Sequence, residues 1–158
     1  MLQQSRGEKL DTTLDFNGKT NGYCLNDDEV THLAHILFET TDVRVLDLSN
    51  NVFTDRGCIA IAEVLRVNHS LEALYLDENQ ISAPSGEALY YALKINPQLQ
   101  VLNLDHTHIP NTIQEDILSL LHINQTQLKP RVDMRAVTVT NVGDAIQFKS
   151  TDYFTSQT

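Results

Sequence analysis

A sequence period of 28 residues constrains this chain more than any other feature. Three successive segments of that length begin at Val43, Leu71 and Leu99, and the middle one reads LEALYLDENQISAPSGEALYYALKINPQ. Apolar residues recur in register in the columns Val43/Leu71/Leu99, Leu46/Leu74/Leu102, Leu48/Leu76/Leu104, Phe53/Ile81/Ile109, Ile61/Leu89/Ile117 and Leu65/Leu93/Leu121. Such self-similarity is typical of a unit that buries its apolar face by stacking on copies of itself. We therefore expect a repeat fold, which favours binding over catalysis.

Each repeat changes from strand to helix periodicity. In the middle repeat, Leu74 and Leu76 alternate as one face of a short strand, and from about Ser85 the apolar residues follow a helical period. A less regular repeat precedes these three, with the turn-rich loop 17–25 inserted after its strand. The chain is therefore predicted to be an α/β protein with parallel strands near 13–16, 45–48, 73–76 and 101–104.

Asparagine forms two further columns. Asn51 and Asn79 follow their strands, where an amide can bond to backbone groups that leave the sheet, and Thr107 takes this position in the next repeat. Asn68, Asn96 and Asn124 follow the helical segments. We expect all three to end helices, because asparagine tolerates the left-handed conformation common at helix ends. The Pro97 that follows Asn96 also prevents that helix from continuing.

Two segments have the capping-box pattern that opens helices, Asn26-x-x-Glu29 and Thr112-x-x-Glu115. We assign residues 1–126 to about four repeats. Residues 127–158 are assigned to a fifth strand at 132–134, a hairpin around 141–144 that would cap the stack, and a polar tail.

The formal net charge is −10, and the excess of acidic residues lies in residues 1–126. An acidic body disfavours nucleic acid and anionic membranes as partners, because their phosphates would be repelled, and it favours a basic protein partner. The two cysteines, Cys24 and Cys58, are too few for a disulfide scaffold. The N-terminal segment has no apolar stretch of signal-peptide length, so we expect a cytoplasmic protein in a native or host cytosol.

The pattern Leu-x-x-Leu-x-Leu-x-x-Asn-x-Ile, complete at 71–81 and nearly complete at 43–53 and 99–109, resembles leucine-rich repeats of the ribonuclease-inhibitor type. That resemblance implies a right-handed horseshoe with parallel strands on its concave face and helices on its convex face. The family includes ribonuclease inhibitors, a Ran GTPase activator, tropomodulin-like actin-capping proteins, axonemal proteins and bacterial effectors. Most members bind proteins, so the resemblance implies a class of activity rather than a target.

In this architecture the residues between the inward-facing leucines lie on the concave face. Carboxylates and one aromatic side chain dominate those positions and suit a basic partner, with tyrosine as an anchor. The predicted partner-binding residues are Asp15, Asp47, Ser49, Tyr75, Asp77, Asn103 and Asp105. We expect a non-enzymatic, monomeric protein-interaction module with no catalytic residues, metal or cofactor.

Other interpretations remain open at this point. Tyr90 and Tyr91 could form a second patch on a helix, although tyrosines often pack along helix flanks. The segment Asp105-His106-x-His108 lacks the further ligands of a metal site. A GTPase regulator would need a presented arginine, for which Arg44 and Arg56 are candidates. A structural subunit of a cytoskeletal or axonemal complex is another alternative, and an effector acting in a host cell is compatible with the binding hypothesis.

Overall fold

The computed structural model describes the backbone of residues 12–132, 138–142 and 145–149, and the side chains of residues 12–126. Strands and helices alternate along the chain. The elements are β1 (Thr13–Asp15), α1 (Gly18–Asn21), α2 (Asp27–Glu39), β2 (Val45–Asp47), α3 (Asp55–Leu65), β3 (Ala73–Tyr75), α4 (Ala83–Ile95), β4 (Val101–Asn103), α5 (Asn111–Val132), β5 (Thr138–Val142) and β6 (Ala145–Lys149). Among these residues, no helix has both the length and the apolar character needed to cross a bilayer.

The first four strands form a parallel sheet in the order β1-β2-β3-β4. Equivalent residues of the repeats pair directly, so that Leu14, Leu46, Leu74 and Leu102 lie side by side across the sheet. The parallel arrangement confirms the strand prediction. Because the pairing follows the repeat register, every column read from the sequence becomes a row across the sheet.

The core lies between one face of this sheet and helices α2 to α5. Leu46, Leu48, Leu74 and Leu76 are completely buried, and helix residues at the predicted apolar positions join them in one cluster. The opposite face of the sheet carries the alternate strand residues, and the helix residues of that cluster do not cover it. We call it the open face. Cys58 is buried in α3, as expected for a small apolar side chain, and burial raises the pKa of its thiol to about 12.

Asn51 and Asn79 are buried turn residues bonded to the backbone, as predicted. The Asn51 amide donates to Leu48 O at 2.8 Å and to Phe16 O of the preceding repeat at 3.0 Å. Asn79 repeats this pattern, donating to Leu76 O at 3.0 Å and to Leu48 O at 2.8 Å. Each asparagine therefore joins its own strand end to that of the previous repeat.

The second asparagine column also joins neighbouring repeats. The amide nitrogens of Asn68, Asn96 and Asn124 donate to Leu37 O, Leu65 O and Leu93 O respectively, at distances of 3.1, 2.7 and 3.2 Å. These carbonyls belong to the last turns of α2, α3 and α4, where a helix has no backbone N–H of its own to bond to them. Each side chain therefore caps the helix of the preceding repeat.

The predicted helix ends were correct in part. Asn68 lies just beyond α3 and Asn96 follows the last residue of α4, but Asn124 lies inside α5, which continues to Val132. The expected left-handed conformation was also wrong at all three positions, and the backbone of Asn96 is extended at φ −122° and ψ 102°. At these positions the asparagine acts through its side-chain bonds, and the helix can either end near it or continue past it.

The two predicted capping boxes had different outcomes. The Asn26 side chain accepts from the backbone of Asp28 and Glu29, and the Glu29 side chain accepts from the backbone of Asn26, so this capping box is present. Helix α5, however, begins at Asn111, which places Thr112 in its first turn rather than at the cap. The Pro110 carbonyl accepts from Gln114 N at 3.1 Å and thereby makes the first helical bond.

The two ends of the repeat region also depart from the sequence expectations. The loop predicted at 17–25 contains the short helix α1, which Asn17 caps through its side chain. At the other end, residue 132 is helical, so the fifth strand cannot begin at Val132, and Asp133 and Met134 lie outside the described residues. A boundary after residue 126 would fall within α5. Strands β5 and β6 pair antiparallel, as a hairpin requires, whereas the capping role of 127–158 stays a prediction.

Candidate functional site

The sheet register brings most of the predicted binding residues together on the open face. Asp15, Asp47, Tyr75 and Asn103 are consecutive partners across the four strands. Each follows an inward-facing leucine by one position, and the alternation of the strand turns its side chain to the opposite side. These four residues therefore form a row that runs across the whole sheet.

A second row lies just beyond the strand ends. Its members are Asn17, Ser49, Asp77 and Asp105, which repeat the same register as the first row. Backbone bonds continue between the repeats here, from Gly18 N to Ser49 O, from Asn50 N to Asp77 O and from Glu78 N to Asp105 O, at 2.9–3.1 Å. Asp77 therefore lies inside the row, and the repeats on its two sides carry Asp47 and Asp105.

Ser49 is placed differently from the sequence prediction. Its side chain is buried, with 3% of its surface exposed, and its hydroxyl donates to Asp47 Oδ1 at 2.5 Å. The Ser49 backbone N–H donates to the same oxygen at 2.9 Å, and Asn17 Nδ2 donates to Ser49 Oγ at 2.8 Å. Ser49 therefore orients the Asp47 carboxylate and does not itself present a contact surface.

Asn103 has a similar orienting role on the other side of the face. Its Nδ2 donates to Asp77 Oδ1 at 3.1 Å, and its Oδ1 accepts from Asp105 N at 3.0 Å. Tyr75 lies between Asp47 and Asn103 in the row and is half-buried. The carboxylates of Asp47 and Asp77 are thus fixed by neighbouring polar side chains around a central aromatic ring.

The electrostatics of the open face are most unfavourable at Asp77. Partial burial raises the pKa of its carboxyl, and repulsion from Asp47, Asp105 and Glu78 raises it further, outweighing a backbone hydrogen bond that lowers it. The surrounding negative charges are therefore close enough to disfavour the ionised form of Asp77. A cationic group placed over Asp77 would relieve this repulsion.

The turns that bound this face have an unusual backbone. Asn50, Glu78 and His106 occupy equivalent positions after their strands and have φ values of 57°, 57° and 55°. Asparagine adopts the left-handed region readily, but for glutamate it is uncommon and carries some strain. The turn geometry is retained in all three repeats while its side chain changes, which leaves Glu78 and His106 exposed beside the second row.

A third polar column was missed from the sequence. Asp27 and Asp55 lie in the first turns of α2 and α3, and each accepts hydrogen bonds from the start of the next helix. Asp27 accepts from Thr54 N, Thr54 Oγ1 and Gly57 N at 2.8–2.9 Å. The sequence did contain a signal for this column. Asp27 and Asp55 lie one repeat apart, and so do Thr54 and Ser82, the residues that bond to them.

Asp55 makes the equivalent contacts with the start of α4. It accepts from Ser82 N at 2.7 Å, Ser82 Oγ at 2.6 Å and Ser85 Oγ at 2.5 Å. Burial by itself would raise the pKa of Asp55, but these bonds from Ser82 and Ser85 outweigh it and lower the pKa. Asp55 is therefore a structural carboxylate, and the opposite direction of the shift distinguishes it from Asp77.

The other candidate residues each contact a neighbouring side chain or the core. Arg44 Nη1 lies 2.5 Å from Glu72 Oε1, and Arg56 Nη2 lies 2.8 Å from Asp28 Oδ1, so both arginines have acidic partners. Tyr90 packs against the core, with Lys94 Nζ 5.4 Å from its ring centre. In the part of the chain that the structure describes, no group of three or more His, Cys, Asp and Glu side chains is arranged to hold a metal.

Comparisons with known proteins identify the class of fold. Residues 41–62 and 67–89 match the family model described as leucine-rich repeat. This match supports a leucine-rich repeat protein, as the sequence columns predicted, and leaves the ribonuclease-inhibitor type as a prediction. No curated protein matches the chain in sequence.

Two solved structures share this fold. The leiomodin-1 actin-binding site 2 (ABS2) has a TM-score of 0.63 and 20% identity, covering 78% of this chain and 87% of that one. The tropomodulin C-terminal domain from Caenorhabditis elegans has a TM-score of 0.59 and 12% identity, covering 77% and 90% respectively. At identities this low, the structural similarity shows a common mixed α/β fold with parallel strands and nothing further.

Proposed function

We propose that this chain is a non-enzymatic protein-interaction module whose open face binds a basic surface of a protein partner. The leucine-rich repeat match supports a protein-interaction role, since repeat proteins of this kind offer extended surfaces for partners. The proposal includes a right-handed horseshoe of the ribonuclease-inhibitor type, in which the open face is concave. It also includes a monomeric chain acting in a native or host cytosol, where an effector role would be compatible.

The crowding of negative charge around Asp77 carries this proposal. Burial and the repulsion from Asp47, Asp105 and Glu78 both disfavour its ionised carboxylate, and the fold does not bring a described cation to relieve it. Charges that serve only solubility can spread apart, whereas these are held together by the sheet register. A partner's lysine or arginine would convert this repulsion into attraction.

Tyr75 and the carboxylates have different roles in this proposal. Tyr75 is half-buried at the centre of the face, and a tyrosine in this setting provides contact area and a hydroxyl at little cost in side-chain freedom. The carboxylates of Asp15, Asp47, Asp77 and Asp105 attract the partner and select for its charge. Ser49 and Asn103 act indirectly by holding Asp47 and Asp77 in place.

Association kinetics test the proposal. A tagged full-length chain first captures partners from cytosol, and the purified partner is then measured by surface plasmon resonance at several salt concentrations. Reversing charge in the Asp47→Lys, Asp77→Lys variant should slow association at least about tenfold, because long-range attraction sets the encounter rate. Tyr75→Ala should mainly accelerate dissociation. Wild-type association should slow as salt rises, since the Debye length is about 10 Å at 0.1 M.

A matched control separates this site from general charge effects. Glu87→Lys with Asp116→Lys makes the same change in net charge at exposed positions of α4 and α5. These variants should retain the wild-type association rate to within about twofold. Equal slowing by both pairs would reduce the effect to net charge, and binding that ignores salt and all open-face changes would contradict the proposal.

A structural subunit of a cytoskeletal complex is the second candidate. It is favoured by the fold shared with the leiomodin-1 actin-binding site 2. Cosedimentation of the full-length chain with filamentous actin tests this candidate. Binding lost in the Asp47→Lys, Asp77→Lys variant would unite the two proposals, and an absence of saturable binding would remove actin as the partner.

A further inference from the structure

The C-terminal ends of α3 and α4 and the equivalent turn inside α5 carry a second repeated surface, which the open face does not explain. A basic or potentially basic residue is followed by a β-branched apolar residue in three successive repeats. The pairs are Arg66–Val67, Lys94–Ile95 and His122–Ile123, and we call this set the helix-end stripe. The apolar members are about half exposed, at 53%, 55% and 48% respectively.

The asparagine column fixes the members of the stripe next to one another. Each apolar residue directly precedes one of the capping asparagines, Asn68, Asn96 or Asn124. The Asn96 amide donates to Asn68 O at 2.5 Å, which holds the chain around Val67 against the chain around Ile95. Asn124 donates to Leu93 O and fixes the third pair beside the second.

The first repeat adds one apolar side chain beside the stripe. Phe38, at the end of α2, is 49% exposed and lines the same shallow cleft as Val67. In the repeat register Phe38 is equivalent to Arg66, and Glu39 is equivalent to Val67, so the apolar column itself covers three repeats. Exposed apolar residues are normal when scattered, but a continuous row of this kind is typical of interaction surfaces.

The charge of the stripe contrasts with that of the open face. Arg66 Nη1 lies 2.9 Å from Glu63 Oε2, in a pair whose side chains are 46% and 54% exposed. Lys94 lies over the Tyr90 ring, and in the first repeat Glu39 occupies the position equivalent to Val67. Solvent-exposed contacts of this kind contribute little, so Arg66 and Lys94 remain available to an acidic partner.

Folding alone accounts for half of this pattern. Cations near helix C-termini complement the helix dipole, which accounts for Lys94 in the last turn of α4 and for Arg66 just beyond α3. His122 lies in the middle of α5 and gains no such benefit. The same reasoning gives no benefit to the half-exposed Val67, Ile95 and Ile123. A row that combines both kinds of residue matches a partner with apolar and acidic groups side by side.

We propose that the helix-end stripe binds an acidic amphipathic helix of a protein partner. Packed helices lie about 8–10 Å apart, so the stripe should present an apolar residue at about that interval. Seven residues of an α-helix rise about 10.5 Å, and a partner helix with one apolar residue per heptad would therefore meet each repeat in turn. Acidic residues beside those positions would lie near Arg66 and Lys94, in the helix-in-groove mode of recognition.

A peptide of defined pattern is the probe. It has three heptads on an alanine background, with leucine at one position of each heptad and glutamate beside it, and it carries a fluorophore. Fluorescence anisotropy with the full-length chain should show saturable binding that weakens with salt. Ile95→Ser and Lys94→Glu should each weaken it at least about tenfold, and circular dichroism melts show that the variants fold.

Matched controls define the site. Ile59→Ser removes an exposed apolar residue of α3 away from the stripe, and Lys19→Glu reverses a charge on α1. Both should leave peptide binding unchanged, as should the Tyr75→Ala, Asp77→Lys variant of the open face. That last result would hold even if the open-face proposal failed.

Three results would overturn the proposal. The first is a peptide with lysine in place of glutamate, or with scrambled leucine positions, that binds equally well. The second is an absence of saturable binding up to the solubility limit of the chain. The third is sedimentation of the wild-type chain as a dimer that Ile95→Ser dissociates, which would assign the stripe to a second copy.

Discussion

The asparagine columns and the aspartates of the open face repeat at the same step, yet their polar groups have opposite environments. Asn51, Asn79 and Asn96 are buried, and each amide donates to a backbone carbonyl of the preceding repeat. Asp47 and Asp77 are only partly buried, and their neighbours include other carboxylates. Periodicity therefore shows that positions are structurally equivalent, and burial with hydrogen bonding shows which of them serve the fold.

The apolar column beside the asparagines sets the scale for this comparison. Leu74→Ala should lower the free energy of unfolding by about 2–5 kcal/mol, because the side chain is completely buried and a cavity would remain between two repeats. Urea unfolding of the variant measures this loss. The exposed Leu118→Ala is the control, and a wild-type midpoint for Leu74→Ala would mean that the column does not face the core.

The asparagine columns should give the next largest effect. Asn79→Leu keeps the bulk but leaves Leu48 O and Leu76 O without the amide donor, which should cost about 1–3 kcal/mol. Asn51→Leu should cost more, because the Asn51 Oδ1 also accepts from Leu25 N, whereas Asn79 Oδ1 has no partner among the described residues.

The neighbouring Gln80→Leu is the control for both asparagine variants, because Gln80 is exposed. Chemical unfolding of all three variants gives the order of their effects. Equal stability of Asn79→Leu and Gln80→Leu would mean that the buried amide bonds contribute nothing to the stack.

The structural carboxylates should differ from those of the open face in their pH dependence. The pKa of Asp55 is lowered in the fold, so its contribution to stability is present above the ordinary value of 3.8 and is lost as pH falls through the folded-state pKa. Asp55→Asn should lower the free energy of unfolding at neutral pH by about 1 kcal/mol. It should also flatten the dependence of that free energy on pH below about 4.

The same unfolding measurements on Asp42→Asn provide the reference, because Asp42 is exposed outside the helices and strands. The assignment of Asp55 as a structural carboxylate would be lost if both variants had the same acid dependence.

Asp77 should show the smallest effect, with the opposite sign. Its pKa is raised, so the stability linked to its protonation is present below 3.8 and is lost as pH rises through the raised pKa. Asp77→Asn should therefore stabilise the chain slightly at neutral pH, by about 0.5 kcal/mol or less, because solvent screens a partly exposed group. Thermal melts at neutral pH measure the gain. Destabilisation by Asp77→Asn would show that the Asp77 charge stabilises the fold, which would contradict the role in binding proposed for it.

The repeat made much of this fold predictable. Strand positions, the parallel sheet and the burial of Asn51 and Asn79 all follow from columns that must occupy equivalent places. The helix end at Asn124 could not be obtained in the same way. Pro97 stops the helix after Asn96, whereas no proline follows Asn124 until Pro130, and α5 continues past it.

The candidate site was predictable in position and less so in detail. Alternation along each strand places Asp47, Tyr75 and Asp77 on the open face, since it depends only on local geometry. The burial of Ser49 depends on its bonds to Asp47 and Asn17, which are contacts that a strand pattern does not specify. The Asp27 and Asp55 column was visible as a repeat, but its role required knowing which helix start lies opposite each carboxylate.

The polar bonds between neighbouring repeats give the stack a weak end. Asn96 donates two bonds to the preceding repeat, to Leu65 O and Asn68 O. The described side-chain bonds of Asn124 and Thr107 number one each, from Asn124 to Leu93 O and from Thr107 to Leu104 O of its own repeat. In a linear array held by nearest-neighbour contacts, fraying begins where those contacts are fewest. The last repeat would then open first, carrying Asn103 and Asp105 away from the face. A partner that contacts both Asp47 and Asp105 would hold the last repeat in place. Its binding would therefore also raise the free energy needed to open that repeat.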